Sequence, residues 1–564
     1  MRPLPKASVV EELRREINVR PFIAQLLAQR GIKSFDEAQT FFTPNLDQLH
    51  DPFLMAGLSE SVDRILKAIE NQERVLIYGD YDVDGTSSVA LIYRFLSRFS
   101  ENLECYIPDR YSEGYGVSMT GMQFAADNEF DLLITLDCGI KATEELEWVT
   151  EQGIDVIVVD HHRPGRDLPK VYSVIDPKRP DCQYPFKELC AAGVAFKLIQ
   201  AVHQKQGGTL EEMDEWLDMV AVATLSDIVP MTGENRVLTA LGMRRLNTKP
   251  SPGLNAFVSL AKVEGNLNSI DILFKVSPKI NAAGRMEHGR LAVDLLIEND
   301  AYEALEMAKV LEKHNTARRE SDQLITVEAL EQIEEQIAED AYSTVVYRPD
   351  WHKGVIGIVA SRLIERHYRP TIVLTESNGL LAGSARSVLG FDVYDAINEC
   401  SEHLEQFGGH MYAAGMTMKP EKLDAFKRAF ERVVAERIEE RQRTPEIEID
   451  LELDLEDINI KLMNILNRME PYGPENPVPV FCVRNVRAAE ESVQQIGKEG
   501  NHLKLKIGSK DSYRSLDAIG FGMGSLAGDL MTGRPFHVVF ELGVNSWRGT
   551  ETLQMMIKDL EWAD

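Results

Sequence analysis

The chain has 564 residues, enough for roughly three or four folded units at ~150 residues each. Hydrophobic residues at 44% and charged residues at 27% are globular values, and six scattered cysteines without a CxxC pair exclude a disulfide framework or zinc knuckle. Lys+Arg 61 against Asp+Glu 90 gives a net charge of −29, which repels polyanions at long range unless a basic groove or bound cations reverse it locally. No apolar run approaches the ~18 residues of a membrane span, and the start MRPLPKASVVEELRRE lacks a signal-peptide core, so a cytoplasmic, reducing location without membrane attachment is expected.

In chain order, residues 1 to about 70 read as helical and irregular, with a turn at Pro44-Asn45. To about 180, β-branched runs alternate with helical stretches: Val75–Tyr78, Leu132–Leu136, Val156–Val159 and Ser173–Ile175. Continuous apolar runs bounded by Asp and Gly are how parallel strands buried on both faces look, so a doubly wound α/β sheet is expected. Helices follow from about 185 to 260. From about Asp300 to Asp340, Ala329, Ile333 and Ile337 form an apolar stripe, while His314, Asn315, Arg318, Arg319 and Asp322 make a polar middle. That pattern predicts a long helix crossing between two domains. A second α/β unit runs from about 341 to 440. From about 445 the chain is β-rich, opening with Glu446, Glu448, Asp450, Glu452, Asp454 and Glu456 alternating with apolar residues. Period 2 predicts a strand with six acids on one face: a solvated edge, or a partner-docking or DNA-mimicking strip.

The strongest chemical signal is Asp80-Tyr-Asp82-Val-Asp84-Gly85 directly after the first strand. If extended, the three carboxylates project the same way and need a cation to neutralise them. An EF-hand loop begins alike but requires a bidentate Glu at its twelfth position, which here is Leu91. Asp137 follows the second of these strands, and Asp160-His161-His162 the third. In an open parallel sheet the carboxyl ends of the strands face one crevice, so these acids converge. Each alone reads as a helix N-cap; together with paired histidines they suit Mn²⁺, or Mg²⁺, and are numerous enough for two ions. Asp227, an acid at the end of an apolar helix, is a further candidate ligand.

These residues resemble the DHH phosphoesterases and, within them, the bacterial RecJ family of single-strand-specific 5′ exonucleases. The resemblance runs from about residue 70 nearly to the end. Besides the acidic motifs it rests on Ile107-Pro-Asp109-Arg110 with Glu113-Gly-Tyr115-Gly, Ala192-Gly-Val-Ala-Phe196, Asn281-Ala-Ala-Gly-Arg285, and Trp351-His-Lys-Gly through Ser361. Gly383-Ser-Ala-Arg386-Ser387, Gly408-Gly-His410 with Ala413-Ala-Gly415, and Tyr472-Gly-Pro-Glu-Asn476-Pro complete it. One departure is Asp176-Pro177, where Asn-Pro is expected.

The resemblance implies an α/β chain in five parts. These are an N-terminal helical arm at 1–70 packing on a DHH catalytic domain at 71–290, a long interdomain helix at 291–340, a DHH-associated domain at 341–444, and an OB-like barrel at 445–564 that binds single strands. It implies that Asp84, Asp137, His161 and Asp227 hold one Mn²⁺. Asp82 and Asp137 hold the other, with Asp80 close by, while His162 contacts phosphate and Asp160 orients it. The catalytic set is then Asp82, Asp84, Asp137, His161 and His162. In the second domain, Gly408, Gly409 and His410 can present backbone N–H groups to phosphate, though such a run is also an ordinary turn. Arg285 and Arg386, with Ser384, can clamp phosphate. His352 reads as packing or substrate contact; Arg110, Tyr115 and Arg318 line the strand's path. Lys504 and Lys506, with His502, Lys510 and Arg514, are either a solvated strand face or a DNA-binding one.

The implied activity is 5′-to-3′ hydrolysis of single-stranded DNA to mononucleotides in recombination and repair, by a monomer, near the nucleoid. The implied partners are single-stranded DNA with a 5′ end, a single-strand-binding protein and a RecQ-type helicase. Rival readings are a DHH phosphodiesterase of short oligoribonucleotides or cyclic dinucleotides, and a non-catalytic DNA-binding scaffold of the same fold.

Overall fold

A computed structural model describes residues 1–263, 265–509, 514–547 and 550–563. The first sheet contains β1 (Val75–Gly79), β2 (Leu103–Tyr106), β3 (Leu132–Leu136), β4 (Asp155–Val159) and β5 (Ser173–Ile175), all parallel, in the order β2-β1-β3-β4-β5. Their continuous apolar runs reflect burial on both faces. Val75 and Ile77 enter one core with the helices Val83–Leu96 and Ala191–Lys205, whereas Leu76 and Tyr78 enter another across the sheet. In this order the connections reverse direction between β1 and β3, and the carboxyl ends of those neighbours open a crevice. Helices Ala191–Lys205, Leu217–Ser226, Gly233–Thr248 and Pro252–Ala261 complete the first unit, as the sequence predicts.

The expected connecting helix spans Ala301–Gln336, capped by the Asp300 carboxylate on the N–H groups of Tyr302 and Glu303. It starts later than position 291 because Arg290–Ile297 forms a separate helix in the first core. Ala304, Ala308 and Leu311 pack on that core; Ile325, Ala329 and Ile333 pack with Trp351 and helix Ile356–Arg366 of the second unit. Part of the predicted polar middle is withdrawn from solvent, with Asn315, Arg318 and Asp322 buried between the two, while Arg319 stays exposed. The second unit has a mixed sheet of β6 (Thr344–Tyr347), β7 (Thr371–Ser377), β8 (Leu380–Arg386), β9 (Gln406–His410) and β10 (Ala413–Met418), in the order β6-β7-β8-β10-β9.

The C-terminal strands β11 (Leu451–Glu452), β12 (Val480–Ala488), β13 (Gln494–Ile496), β14 (His502–Gly508), β15 (Ser515–Gly520), β16 (Phe536–Trp547) and β17 (Thr550–Trp562) form one sheet. It runs β11-β12-β16-β17-β15-β14-β13, and pairing of Arg487 and Ala488 with Gly508 and Ile507 joins β12 back to β14, closing a barrel.

Two expectations are corrected. The N-terminal arm does not pack as one piece on the first domain. Leu13, Ile23, Leu26 and Leu27 share a core with Leu453, Phe481 and Phe540 of the barrel, whereas the stretch from Leu46 onward, including Met55, Leu58, Val62, Ile65 and Ala68, joins the α/β core. The acidic stretch is not a six-acid strand. Only Leu451–Glu452 is strand, Leu455–Asp457 is a 3₁₀ turn, and Asp450 is buried. Its carboxylate accepts from the Val480 N–H at 2.9 Å and lies 3.2 Å from the Arg2 and 3.7 Å from the Arg30 guanidinium. Asp450 is therefore a clasp for the N-terminal arm rather than part of a docking strip.

Breaking a buried ion pair leaves a charge without compensation, at a cost of about 3–5 kcal/mol. Asp450→Ala should lower stability by about that much in denaturant melts, whereas Glu448→Ala, at an exposed pair, should change it by less than about 1 kcal/mol.

Candidate metal centre and phosphate-binding cleft

The segment after β1 does not stay extended. Asp82 caps helix Val83–Leu96, its carboxylate accepting from the Gly85 N–H at 3.0 Å, and Asp84 lies in the first helical turn. The expectation of three carboxylates projecting the same way therefore fails, since each helical residue turns through about 100°. A Cβ on Gly85 would lie 2.5 Å from the Asp80 carbonyl oxygen, so this turn requires glycine. Asp84 points to the N-terminus of helix Ala191–Lys205, where the Ala191 and Ala192 N–H groups donate to it at 2.6 and 2.8 Å. Those two donors were not foreseen: the Ala192-Gly-Val-Ala motif contributes backbone, not side chains.

Two strand ends supply the remainder. Asp137 follows β3 with φ +61, an uncommon conformation for a residue with a Cβ. Asp160 follows β4, and its carboxylate accepts from the N–H groups of His161 at 2.7 Å, His162 at 3.1 Å and Ile140 at 3.0 Å. Asp227 ends helix Leu217–Ser226. The convergence is tight. Ligand atoms of Asp80, Asp82 and Asp137 lie within 4.8 Å of one another, as do those of Asp84, His161 and Asp227, and those of Asp137, His161 and His162. His161 Nε2 is 3.2 Å from Asp137, 3.7 Å from Asp227 and 3.8 Å from Asp84.

Burial and the neighbouring Asp82 carboxylate push the Asp80 and Asp137 carboxyls well above the usual range. The same causes raise Asp84 to about 7, and burial with Asp84 and Asp82 raises Asp227 to about 9. Burial lowers His161 to about 3, leaving a neutral imidazole. Asp80 Oδ2, Asp227 Oδ2 and His161 Nε2 are buried without a hydrogen-bond partner. Crowded carboxylates, a neutral imidazole and unpartnered ligand atoms fit two divalent cations, with Asp137 shared between the groups. His162 differs. Burial opposes its charge, but the Asp160 carboxylate, 2.8 Å from Nδ1, outweighs burial and raises the imidazole above its ordinary value. In turn Asp160, though buried, is held down to about 2 by its bond to His162. Asp176, where Asn was expected, is buried nearby and raised to about 7 by burial, with one bond from the Lys178 N–H at 2.6 Å.

Beside the carboxylates, Arg110 and Arg285 of the first unit meet Arg386, His352 and Lys353 of the second. Burial, then Arg110, Arg318 and Arg386, lower Arg285 to about 10; burial and Arg110 lower Arg386, His352 and Lys353. Such mutual repulsion marks an anion site. Arg386 is held by Ser384 Oγ at 3.1 Å and the Ala385 carbonyl at 2.8 Å, and Arg285 by the Gly354 carbonyl at 3.1 Å. Arg110 lies 4.8 Å over the Tyr81 ring, and Tyr111 bonds the Arg285 carbonyl and meets His352 edge-on. Lys353, Tyr81 and Tyr111 went unassigned from sequence although the first two lie in quoted motifs. Arg318 is less free than expected, because Asp322 at 3.1 Å and Asn315 hold its guanidinium.

Gly408, Gly409 and His410 form neither a nest nor a simple turn. They belong to β9, an edge strand paired only with β10 among the described residues, so one backbone edge faces outward. Burial, Lys141 and His162 depress the His410 imidazole, so this strand lies within electrostatic reach of the first domain's Lys141 and His162. Tyr115 is exposed, with its hydroxyl 3.4 Å from His162 Nε2. Lys504 and Lys506 occupy the exposed face of β14, away from the barrel core, with Lys506 opposite Asp517. Lys510 lies outside the described residues.

Family models match along the chain: the DHH family N-terminal domain at residues 74–224, the DHHA1 domain at 340–436 and the RecJ OB domain at 449–559. The single-stranded-DNA-specific exonuclease RecJ of Bacillus subtilis (strain 168) is 38% identical over 99% of this chain and 70% of its own length. That of Dickeya dadantii (strain 3937) is 32% identical over 95% of both chains. The crystal structure of Thermus thermophilus RecJ in complex with Mn²⁺ superposes with a TM-score of 0.85 at 28% identity, covering 100% of this chain and 79% of that one. The DHH, DHHA1 and RecJ OB models follow one another along this chain and identity above 30% extends over nearly all of it, so the chain belongs to the RecJ family of single-stranded-DNA-specific exonucleases.

Proposed function

We propose that this protein hydrolyses single-stranded DNA from its 5′ end and releases 5′-mononucleotides. The observation carrying the proposal is the crowded carboxylate–imidazole cluster with Arg110 and Arg285 of the same unit and Arg386 of the next gathered beside it. Asp80, Asp82 and Asp137 would hold one divalent cation, and Asp84, Asp137, His161 and Asp227 the other; Mn²⁺ suits the imidazole ligand and Mg²⁺ the carboxylates. When bound, such cations neutralise the carboxylates, acidify water and balance charge on a phosphodiester under attack.

The chain's own residues do the rest. Asp160 holds His162 Nδ1, fixing the ring so that its Nε2 side meets Tyr115 in the cleft. A charged His162 there can donate to a phosphate oxygen as negative charge builds. Arg285, Arg386 and Ser384 anchor the terminal phosphate, His410 and the outer edge of β9 bind the next, and Tyr115 offers a face to a base. His352 sits among those cations and is read as a substrate contact. Arg318, fixed by Asp322, adds positive field rather than a flexible contact. Lys504 and Lys506 extend the path over the barrel.

No helix among the described residues is long and apolar enough to cross a membrane. A cytoplasmic monomer that receives strands from a RecQ-type helicase and single-strand-binding protein, in recombination and repair, is the part of the proposal supported by family membership alone.

Asp137→Ala should abolish Mn²⁺-dependent digestion of 5′-phosphorylated single strands, and Asp160→Asn should slow it about 10–100-fold. Retained activity in Asp137→Ala would overturn the ligand assignment, and preference for dinucleotides over long strands would overturn the substrate. Saturating Mn²⁺ should raise the melting temperature, by stabilising the folded state about 2.7 kcal/mol at one hundred times its Kd. Calorimetry should show that shift lost in Asp137→Ala. Arg386→Ala removes a charge-assisted bond of about 1.5–3 kcal/mol, so KM for 5′-phosphorylated strands should rise about 10–100-fold while unphosphorylated strands are affected less.

A further inference from the structure

Three consecutive polar side chains at the start of helix Gly233–Thr248 are buried, and each bonds a different part of the molecule. Glu234 pairs with Lys197 at 2.8 Å and accepts from the Tyr184 hydroxyl at 2.7 Å and the His50 N–H at 2.9 Å. Arg236 donates to the Met469 and Glu470 carbonyls at the entry to the barrel. Asn235 does neither. Its amide nitrogen donates to the Glu188 carbonyl at 2.5 Å and to the Pro230 carbonyl at 3.0 Å. Two carbonyl acceptors fix which way the amide faces, since only its NH₂ group can meet them. Its oxygen is buried without a partner, a cost that those two bonds must offset.

Both acceptors belong to segments that place candidate cation ligands. Glu188 lies two residues before Cys190, which precedes helix Ala191–Lys205, and the first N–H groups of that helix hold Asp84. Pro230 lies three residues after Asp227, which ends helix Leu217–Ser226. Between Asp227 and Pro230 the chain makes a strained turn. Ile228 occupies the position after the helix end where glycine is usual, has φ +59 and is 66% exposed. A β-branched residue is disfavoured in the left-handed region, and exposure gives this one no packing in compensation, so the surrounding structure must hold the turn. The two segments also meet in a small apolar cluster of Cys190, Ala192, Ala223 and Val229, and Cys190 Sγ lies 3.4 Å from Thr224 Oγ1. Asn235 adds the polar tie between their backbones.

We propose that Asn235 is a positioning residue for the cation assigned to Asp84, Asp137, His161 and Asp227. By tying Pro230 to Glu188 it keeps the left-handed turn at Ile228 formed, and so keeps Asp227 aimed at the same point as Asp84. This rests on the two-cation reading above and adds to it the contact that sets the affinity of one of the two sites.

The test is titration calorimetry of the full-length protein with MnCl₂ and no DNA, each variant being held well below its metal-free melting temperature. Asn235→Ala should weaken Mn²⁺ binding at one of two sites by about 10–100-fold, and Asn235→Ser, which keeps one donor, by less. Where the alanine variant does not fold, the serine variant decides. Asn247→Ala is the control. That amide, on the same helix, donates to the Met243 and Leu267 carbonyls at 3.0 Å each, so its loss should lower the melting temperature and leave the Mn²⁺ Kd unchanged. Glycine adopts the left-handed conformation without strain, so Ile228→Gly added to either Asn235 variant should recover affinity, by about 5–30-fold in the alanine background. Wild-type affinity in the Asn235 variants, an equal loss in Asn247→Ala, or no recovery from Ile228→Gly overturns the role of Asn235 while leaving the cation sites in place. A wild type that binds no Mn²⁺ overturns both.

Discussion

Like charges forced together inside a protein are the constraint on which this structure turns. Asp80, Asp84, Asp137 and Asp227 are brought within a few ångströms, largely out of water, and burial and mutual repulsion raise all four carboxyls. Such a cluster gives no stability of its own. It persists because the strands behind it are buried on both faces and because backbone N–H groups fix the geometry: those of Ala191 and Ala192 on Asp84, and those of Ile140, His161 and His162 on Asp160. The scaffold absorbs an unfavourable arrangement that cations can turn into a favourable one.

The opposite sign is built beside the carboxylates by the same means. Arg285, Arg386, His352 and Lys353 are gathered by glycine-containing backbone and small residues, with their ionisation depressed rather than neutralised. A chain of net charge −29 therefore carries a concentrated positive wall where a phosphate would lie, and net charge is a poor guide to its ligand. Helix Ala301–Gln336 joins the two units, its first half packed on one core and its second on the other. At its centre the buried Asp322 pairs with Arg318 of the same helix and with Arg362 of helix Ile356–Arg366, tying the helix to the second unit, while Glu312 pairs with Lys279 of the first. The barrel is held to the remainder by the N-terminal arm, through Asp450 with Arg2 and Arg30, and by Arg236, which donates to carbonyls of Phe41, Met469 and Glu470.

Much of this was legible in the residues. Apolar runs ending in Asp identified β1, β3 and β4 and the edge of the sheet that carries the chemistry, because a strand buried on both faces leaves polar residues only at its tips. The stripe of the long helix was legible for the same reason, through periodicity. Where the reading failed, a local rule was overridden by a distant contact. The alternating acids near position 450 follow the period of a strand, yet Asp450 is turned inward because Arg30, hundreds of residues earlier, needs a carboxylate. Asp80, Asp82 and Asp84 have strand spacing, yet Asp82 caps a helix and sends Asp84 to a different group.

By itself, the sequence determined which residue types the site would use and the order of domains presenting them, since spacing along the chain records strand tips, helix faces and turns. Only the tertiary structure decided which carboxylates share an ion site, that the glycine run is an edge strand, and that the first helices clasp the barrel. Those outcomes depend on contacts between segments far apart in sequence, and a one-dimensional pattern carries no information about the partner a side chain will meet.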